Sequence, residues 1–522
     1  MFTTPMAFPL VLAVSLQPAP HAAPVSASPG EGPVEPAPPG YEDRFQAMQQ
    51  ELDALLKKSR QQDERIRQLE AETGERWLTE QRAEQVRGIV RDVLADSEQR
   101  ASFRADGATS GYDRNFFIAS PDGNYRLNIE GQIQSRYSFN FMPTPGLSAG
   151  PVVPGGKQNE YGFELRRVRL NFFGNIIDPS WTYRVQIAFE RDGTIQNRPL
   201  TLEDAFLQKA LGGGWFFRMG QWKNFFNYEE INSSRTQQLV ERSMLNQYFT
   251  TQFIQGALLG WESEHVRTFL SYNDGGGNRN IAVIQKNGNP TDWAFTARAD
   301  WLLAGAWGQI RDMQGWVGSP FAAMAGVAVN AQRASGVVTD NRLTVGNGAI
   351  PGMDGLAVTV APLNLTSWTA DINLRGSGWS GWAAFLGNYM SSSDPDAIAR
   401  GVGSAVSLGA VVQGGIFVTD SVELFARYEG LWVSSGNDGM VGGKFVPNAL
   451  VAQTMNAATF GVCWYFAKNA AKFALDGGVA FNPVKFDRGL YGESISGADW
   501  RPAETGEGAG EVVVRAQMQV LF

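Results

Sequence analysis

A strict alternation of apolar and polar residues runs through positions 125–141, which read YRLNIEGQIQSRYSFNF. Apolar side chains occupy the odd positions, apart from Gly131 and Ser135, and every even position is polar. Because successive side chains of a strand point to opposite faces, this pattern predicts one long amphipathic strand. Strands of globular proteins usually have only about 5–6 residues, so the length itself needs an explanation.

The same alternation recurs along the rest of the chain, for example in WTYRVQIAFE at 181–190 and in the final residues EVVVRAQMQVLF. We count about sixteen such segments, which start near residues 125, 160, 181, 201, 214, 256, 266, 293, 321, 367, 379, 405, 421, 454, 471 and 511. The predicted connections alternate between short ones and long ones, and the long ones are 142–159, 224–255, 274–292, 331–366, 389–404, 433–453 and 482–510. One connection, 304–320, is expected to be short and is not.

Long strands with one apolar face, joined alternately by short turns and long loops, are typical of an outer-membrane β-barrel. The bilayer covers the apolar face, and the polar face lines a water-filled lumen. The fold prediction is therefore an all-β transmembrane barrel of about 16 antiparallel strands, over residues 112–522. The alternative, a soluble β-sandwich or propeller, should have shorter strands with turns at about 8–12-residue intervals. Aromatic residues near the ends of the apolar faces instead favour the membrane girdle of a barrel.

The first hundred residues differ in composition from the rest of the chain. Residues 1–27 contain the apolar run MAFPLVLAVSL and are predicted to be a signal peptide. Residues 28–40 read as a Pro/Ala-rich linker. Residues 41–104 follow an α-helical heptad pattern, which predicts a coiled coil in the periplasm, since an even strand number leaves both ends of the barrel on that side. A single solvated helix or a helical hairpin is the alternative for 41–104.

Charge and rare residues narrow the function. The formal net charge of −8 argues against a nucleic-acid partner. A single cysteine, Cys463, excludes an intrachain disulfide, and two histidines, His21 and His265, make a histidine-based catalytic or zinc centre improbable. An outer-membrane hydrolase would need a Ser–His pair, and the only histidine of the predicted barrel, His265, falls in a predicted short turn. We expect neither enzymatic activity nor a cofactor.

Arginines on the predicted lumen face point to anions as the solutes. Guanidinium groups stay charged and bind phosphate-like oxygens with two donors. Arrays of basic side chains are how a pore favours anions. The alternative is that these arginines pair with lumen carboxylates and only keep the wall hydrated. The inward positions chosen as an anion pathway are Arg136, Arg167, Arg169, Arg184, Arg218 and Arg298.

The stretch GQWKNFFNYEEINSSRTQQLVERSMLNQYFT at 220–250 resembles the phosphate-selective porin O/P family of Gram-negative outer membranes. The resemblance covers roughly residues 112–522. One departure is Trp222, where the family usually has Phe. The residues that match the family in order are Arg166, Arg167, Arg169, Leu170, Leu202, Asp204, Ala205, Gly220, Gln221, Lys223, Glu229, Glu230, Ser233, Ser234, Glu241, Arg242, Ser243, Gln519 and Phe522.

This resemblance implies a homotrimer of 16-stranded barrels that contact outer-membrane lipid and let small anions such as phosphate diffuse passively. It also implies that the third loop, 221–255, folds into the lumen as a constriction that carries Lys223, Arg235 and Arg242. A structural pair Glu241–Arg242 that pins the loop to the wall is the alternative for the last of these.

Two other functions stay open at this point. In a general or sugar-preferring porin, aromatic residues such as Phe216, Trp222 and Phe269 would provide a path for sugar rings. In an outer-membrane anchor, the coiled coil would tether the barrel to the cell wall by contacting peptidoglycan.

Overall fold

The protein divides into two compact units, Met1–Arg100 and Ala101–Phe522. Among the described residues, no helix is long and apolar enough to cross a membrane. The computed structural model describes residues 50, 53–64, 107–113, 115–143, 159–189, 200–276, 291–339, 342–345, 358–395, 404–435, 439–441, 444–446, 453–482, 484, 489–491, 498–501 and 510–522.

In the first unit, residues 53–64 are helical and exposed, within the stretch 41–104 where the heptad pattern predicts helix. The predicted signal peptide, 1–27, and linker, 28–40, lie outside the described residues. The coiled coil stays a prediction, because most of 41–104 also lies outside them.

The second unit is built almost entirely of antiparallel strands. In chain order these are β1 (Thr109–Asp113), β2 (Asn115–Ala119), β3 (Arg126–Phe141), β4 (Asn159–Ile176), β5 (Asp178–Ala188), β6 (Thr201–Gly212), β7 (Trp215–Lys223), β8 (Phe253–Glu262), β9 (Val266–Asn273), β10 (Thr291–Ala304), β11 (Ala322–Thr339), β12 (Arg342–Val345), β13 (Val358–Gly376), β14 (Trp379–Ser392), β15 (Ser404–Thr419), β16 (Val422–Ser435), β17 (Gly439–Val441), β18 (Lys444–Val446), β19 (Gln453–Tyr465), β20 (Ala471–Ala480) and β21 (Glu511–Leu521).

Sixteen of these strands form a closed ring, which confirms the predicted barrel. Each long strand pairs with the next one along the chain, and β21 pairs with β3 to close the barrel. Closure leaves no unpaired sheet edge in the bilayer, where no water could satisfy the backbone. Among the described strands, β1, β2, β12, β17 and β18 are short additions outside the ring.

The wall has the reverse of a soluble protein's polarity. In β10 the side chains of Thr296, Arg298 and Asp300 are buried, whereas those of Phe295 and Trp301 are exposed. The polar face therefore points into the barrel and the aromatic face points outward, where lipid would cover it. This agrees with the parity read from the sequence.

Most ring strands begin within about three residues of their predicted start, but β13 begins at Val358 instead of near 367. Because β11 also extends to Thr339, much of the predicted long loop 331–366 is strand. The reason is physical: only about 9–11 residues of a strand need to span the bilayer. Near the start of β13, Leu363 and Leu365 are buried on the inner face, whereas Asn364 and Thr366 are exposed on the outer face. The polarity expected of the wall is reversed there, so it does not mark the strand.

Short and long connections lie at opposite ends of the barrel. At one end, here called the short-turn end, the links are 177, 213–214, 263–265, 377–378, 420–421 and 466–470. Gly212, Gly213 and Gly214 have φ values of 89°, 60° and 86°, which glycine adopts without steric cost. The exception is the link 305–321, which contains the short helix Trp307–Ile310 and is long, as the sequence indicated.

The β1–β2 hairpin was not predicted. Strand β2 pairs with residues 126–129 of β3, directly beside the stretch 132–141 of β3 that pairs with β21. The hairpin thus continues the wall at the short-turn end, past Phe522. Five-residue strands with aromatic residues on both faces give little alternation to detect in the sequence.

Candidate functional site

The third loop lies inside the barrel. It spans residues 224–252, between the end of β7 and the start of β8, and contains the helices Tyr228–Ile231 and Met244–Phe249 and the 3₁₀ turn Ser234–Thr236. Asn or Ser side chains cap all three helical segments, as in Ser243 Oγ accepting a hydrogen bond from the Asn246 backbone N–H. Local capping thus explains why a strand pattern gives way to short helices here.

Glu241 fastens this loop to the wall. Its carboxylate is almost completely buried, at 1% exposure. Arg136 Nη1 lies 2.6 Å from Glu241 Oε1, and Arg167 Nη2 lies 2.9 Å from Glu241 Oε2. Arg166 also donates to this carboxylate, and Arg427 on β16 donates to the Glu241 carbonyl at 3.0 Å.

A β-bulge lets two consecutive arginines reach one carboxylate. In the β3–β4 pairing, Gln134 is opposite Arg167 and Ser135 is opposite Leu165, so Arg166 is the extra residue. In a regular strand Arg166 and Arg167 would point to opposite faces, one of them into lipid. The bulge turns the Arg166 side chain inward, where its Nε lies 2.5 Å from Glu241 Oε1.

Further polar contacts hold the rest of the loop against the wall. Gln238 Nε2 donates to Ser380 Oγ at 2.7 Å, and Lys472 Nζ donates to the Gln237 carbonyl at 2.6 Å. The side chain of Cys463 is buried on the inner face of β19, and its Sγ donates to the Gln238 carbonyl at 3.1 Å. The loop therefore covers the inner face of β14 to β21.

Apolar packing completes this attachment. Leu245 and Phe249 lie against Gly409 of β15, and a Cβ built on Gly409 would come within 2.9 Å of both side chains. The close approach explains why a glycine occupies the lumen wall here. On the other side, the Leu490 N–H donates to the Tyr248 carbonyl at 2.9 Å, so part of the last long connection packs on the same helix.

The long link at the short-turn end also reaches the third loop. The Met313 N–H donates to the Thr236 carbonyl at 3.4 Å, and the Tyr228 hydroxyl donates to the Ile310 carbonyl at 3.1 Å. Residues 305–321 therefore contact the third loop from the short-turn end of the barrel. Their length was visible in the sequence, but their position inside the barrel was not.

A polar cavity of about 680 Å³ lies between the third loop and the wall formed by β3 to β10, and it is called the open cavity below. Eight basic and five acidic side chains line it. The basic ones are Arg169, Arg184, Arg218, Lys223, Arg235, Arg267, Arg298 and Arg311, and the acidic ones are Glu130, Asp204, Glu262, Asp300 and Asp312.

Most of these basic side chains are neutralised locally. Six have a carboxylate oxygen within 4.0 Å, in the pairs Arg169–Glu203, Arg184–Asp204, Lys223–Glu230, Arg235–Glu130, Arg267–Glu262 and Arg298–Asp300. Within the described part of the chain, Arg218 and Arg311 have no such partner. These two are the cavity guanidinium groups that no carboxylate contacts directly among the described residues.

The nine residues predicted for the anion pathway divide into two groups. Arg169, Arg184, Arg218, Lys223 and Arg235 line the cavity, as does Arg298, which is held between Asp300 and Asp371. The other three, Arg136, Arg167 and Arg242, are buried behind or within the third loop.

Arg242 does not pair with Glu241. Its guanidinium donates to the Glu229 and Asn232 carbonyls, at 3.0 and 2.8 Å. Arg242 therefore connects two parts of the third loop with each other, whereas Glu241 connects the loop to the wall. The aromatic residue Trp222, considered for a sugar path, is packed inside the wall at 1% exposure.

Two cavity residues, Arg267 and Arg311, are not among the predicted site residues. Arg267 has the inward parity of β9, so the alternation could have included it. Arg311 lies in the link 305–321, where no strand parity applies, and only the fold brings it to the cavity.

Glu230 joins the two bases at the start and end of the loop. Lys223 Nζ lies 3.1 Å from Glu230 Oε1, and Arg242 Nε lies 3.6 Å from Glu230 Oε2. Burial by itself would raise the pKa of Glu230, but Arg242 and Lys223 outweigh it and lower the pKa to about 2. The carboxylate is thus charged at any pH at which the protein works.

Solved structures similar to this chain include OmpT, an outer membrane protein of Vibrio cholerae (10% identity, TM-score 0.47, covering 76% of this chain and 97% of that chain), the outer membrane channel DcaP of Acinetobacter baumannii (11%, 0.45, 76% and 97%) and an anion-selective porin from Comamonas acidovorans (10%, 0.46, 76% and 99%).

No curated protein sequence matches the chain. A family model does: the one described as phosphate-selective porin O and P matches residues 151–367, which include β4 to β10 and the whole third loop. Over these residues, the match confirms the resemblance to the phosphate-selective porin O/P family that was found in the sequence.

Proposed function

We propose that this outer-membrane porin lets small anions such as phosphate diffuse passively through the barrel lumen. The observation that carries the proposal is that two of the eight basic side chains around the cavity, Arg218 and Arg311, have no carboxylate oxygen within 4.0 Å among the described residues. An excess of fixed positive charge in a narrow lumen raises the local concentration of anions and lowers that of cations. Anion passage would need no turnover and no cofactor.

The third loop brings solutes close to these positive charges. By covering the inner face of β14 to β21, it confines solutes to the side of the lumen where Arg218 and Arg311 lie. A wide barrel would let ions pass beyond the Debye length of about 8 Å, where fixed charges are screened. In the narrowed lumen every solute passes close to the unpaired guanidinium groups.

The test is single-channel recording of the purified protein in a planar bilayer with a KCl gradient. We expect a reversal potential on the chloride side, and a decrease of the chloride current when phosphate is added. Replacing both Arg218 and Arg311 by Gln should move the reversal potential towards zero. A matched variant with Lys57 and Lys58 replaced by Gln removes the same charge from the exposed helix 53–64 and should leave the potential unchanged.

A potassium-side reversal potential would overturn the proposal of anion preference. A chloride-side potential without any effect of phosphate would leave an anion porin with other cargo. If sugars reduce the ion current instead, the sugar-preferring alternative gains support.

We also propose the homotrimer that the family resemblance implies, with the coiled coil of 41–104 in the periplasm. Deleting 41–104 distinguishes a role of this segment in conduction from a role in anchoring the barrel to the cell wall. A porin should conduct as before, whereas loss of envelope integrity in cells that carry the deletion would assign the segment a contact with peptidoglycan. Cross-linking of the purified barrel in detergent tests the trimer.

A further inference from the structure

Four phenylalanines surround one of the two unpaired guanidinium groups of the lumen. They come from three strands and from the start of the third loop: Phe206 on β6, Phe216 on β7, Phe269 on β9 and Phe225 in the loop. The rings of Phe225 and Phe269 are stacked, with centroids 4.2 Å apart and an angle of 1° between their planes. Phe216 meets Phe269 edge to face at 6.4 Å.

Arg218 lies among these rings. Its Cζ is 4.1 Å from the centroid of Phe206, 5.3 Å from that of Phe225 and 5.9 Å from that of Phe216. Its Nε and Nη2 donate to the same oxygen, Gln208 Oε1, at 3.0 and 2.7 Å. A guanidinium has five N–H donors, so one neutral acceptor uses only a part of them.

This surrounding sets Arg218 apart from the other lumen cations. Six of these have a carboxylate partner. Arg311, the other cation that lacks one, has no aromatic ring in cation–π geometry among the described residues. Arg218, Phe216, Phe225 and Phe269 all line the open cavity. The cavity lining therefore has one positive charge beside several aromatic rings, of which Phe225 is partly exposed and Phe216 and Phe269 are each 7% exposed.

A solute that carries a carboxylate on an aromatic ring matches both features. Its carboxylate can accept two hydrogen bonds from a guanidinium, and its ring can stack on or meet the edges of the phenylalanine rings. Inorganic phosphate would use the charge but gain nothing from the rings, and a sugar would use the rings but not the charge. Resting on the anion-porin function proposed above, we propose that Arg218, Phe216, Phe225 and Phe269 form a binding site for aromatic carboxylates along the pore.

The experiment compares block of the KCl current by benzoate and by cyclohexanecarboxylate, in planar bilayers of the purified full-length protein. The two anions have the same charge and similar size, but only benzoate has a π system. We expect a half-blocking concentration about threefold or more lower for benzoate than for cyclohexanecarboxylate, because a well-oriented aromatic pair contributes beyond its buried area.

Variants then assign the site. Phe216→Leu and Phe225→Leu keep an apolar side chain but remove a ring, and each should move the ratio of the two half-blocking concentrations towards one. Arg218→Gln should weaken block by both anions. Arg311→Gln is the matched control, since it also removes an unpaired lumen guanidinium: it should reduce anion preference while leaving the benzoate ratio unchanged.

Equal block by the two anions in the wild-type protein would overturn the proposal without needing any variant. A benzoate preference that survives in both phenylalanine variants would place the site elsewhere and overturn it as well. The reversal potential separates this failure from that of the anion-porin function. A chloride-side potential with equal block keeps the porin function and rejects the aromatic site, whereas a potassium-side potential rejects the function on which the site rests.

Discussion

Replacing Glu241 by Gln should release the third loop from the wall. The substitution keeps the shape of the side chain but removes the charge that Arg136, Arg166 and Arg167 share. The amide nitrogen would also place N–H groups against guanidinium donors. Removing one partner from a buried ion pair typically costs about 3–5 kcal/mol, because a charge is left buried and uncompensated.

The structure favours the lower end of that range. Arg136 keeps two other acidic partners, Glu164 and Asp499, and Arg167 keeps its hydrogen bond to Gln134 Oε1 at 3.0 Å. About 3 kcal/mol, at 1.36 kcal/mol per factor of ten, corresponds to a roughly 10²-fold increase in the fraction of molecules with the loop released.

Limited trypsin digestion measures that fraction. Trypsin is too large to enter the lumen, so it can cut after Arg242 only when the loop has left it. When opening and closing are fast, the cleavage rate follows the population of the open form, so we expect cleavage at Arg242 to be roughly 10²-fold faster in Glu241→Gln. The same variant should give a larger and noisier single-channel conductance.

A matched control removes a carboxylate from the same lumen. Glu262 lies 3.7 Å from Arg267, but its side chain is 44% exposed. Exposed pairs contribute about 0–1 kcal/mol, so Glu262→Gln should change the cleavage rate by no more than about fivefold. If Glu241→Gln were cut no faster than Glu262→Gln, the buried carboxylate would not be what holds the loop, and the reasoning would be refuted.

Two further predictions concern the same loop. In the docked loop the pKa of Glu230 is about 2, below its ordinary value of 4.5, so this carboxylate stabilises docking fully above pH 4.5 and progressively less as the pH falls towards 2. The single-channel conductance, titrated from pH 7 downwards, should therefore stay constant to about pH 5 and become noisier below pH 4.5. The conductance of Glu230→Gln should be noisy over the whole pH range. Gly409→Leu would push Leu245 and Phe249 off β15 and should destabilise the docked loop by about 1–3 kcal/mol, so trypsin should cut the loop about five- to a hundredfold faster. The control is Gly381→Leu, where a Cβ meets no atom within 4 Å, and it should leave the cleavage rate unchanged.

Much of the wall could be derived from the chain alone, and the reason is local. In a strand, neighbouring side chains alternate between lipid and water, so each strand displays its environment in its own sequence. The starts of β6, β9 and β20 were predicted to the residue. The alternation fails near the start of β13, where the inner face is apolar and the outer face is polar, and in a hairpin as short as β1–β2.

The lumen site was predictable only in part. Parity indicates that Arg167 and Arg218 both face inward, but it does not say that one is buried against Glu241 and the other is left open to solutes. Those outcomes depend on partners far apart in the chain: Glu241 follows Arg167 by 74 residues. The ring stack at Arg218 likewise needs Phe225 from the loop and Phe269 from β9.

The sequence by itself thus determined the barrel, the strand order and the inward face, because these follow from the contrast between water and lipid along each strand. The tertiary structure decided which inward charges bind the third loop and which stay open to the lumen. That decision needs the folded loop and its three anchoring arginines in one place. It also rests on the bulge at Arg166, a change of one residue in pairing that the sequence pattern does not reveal.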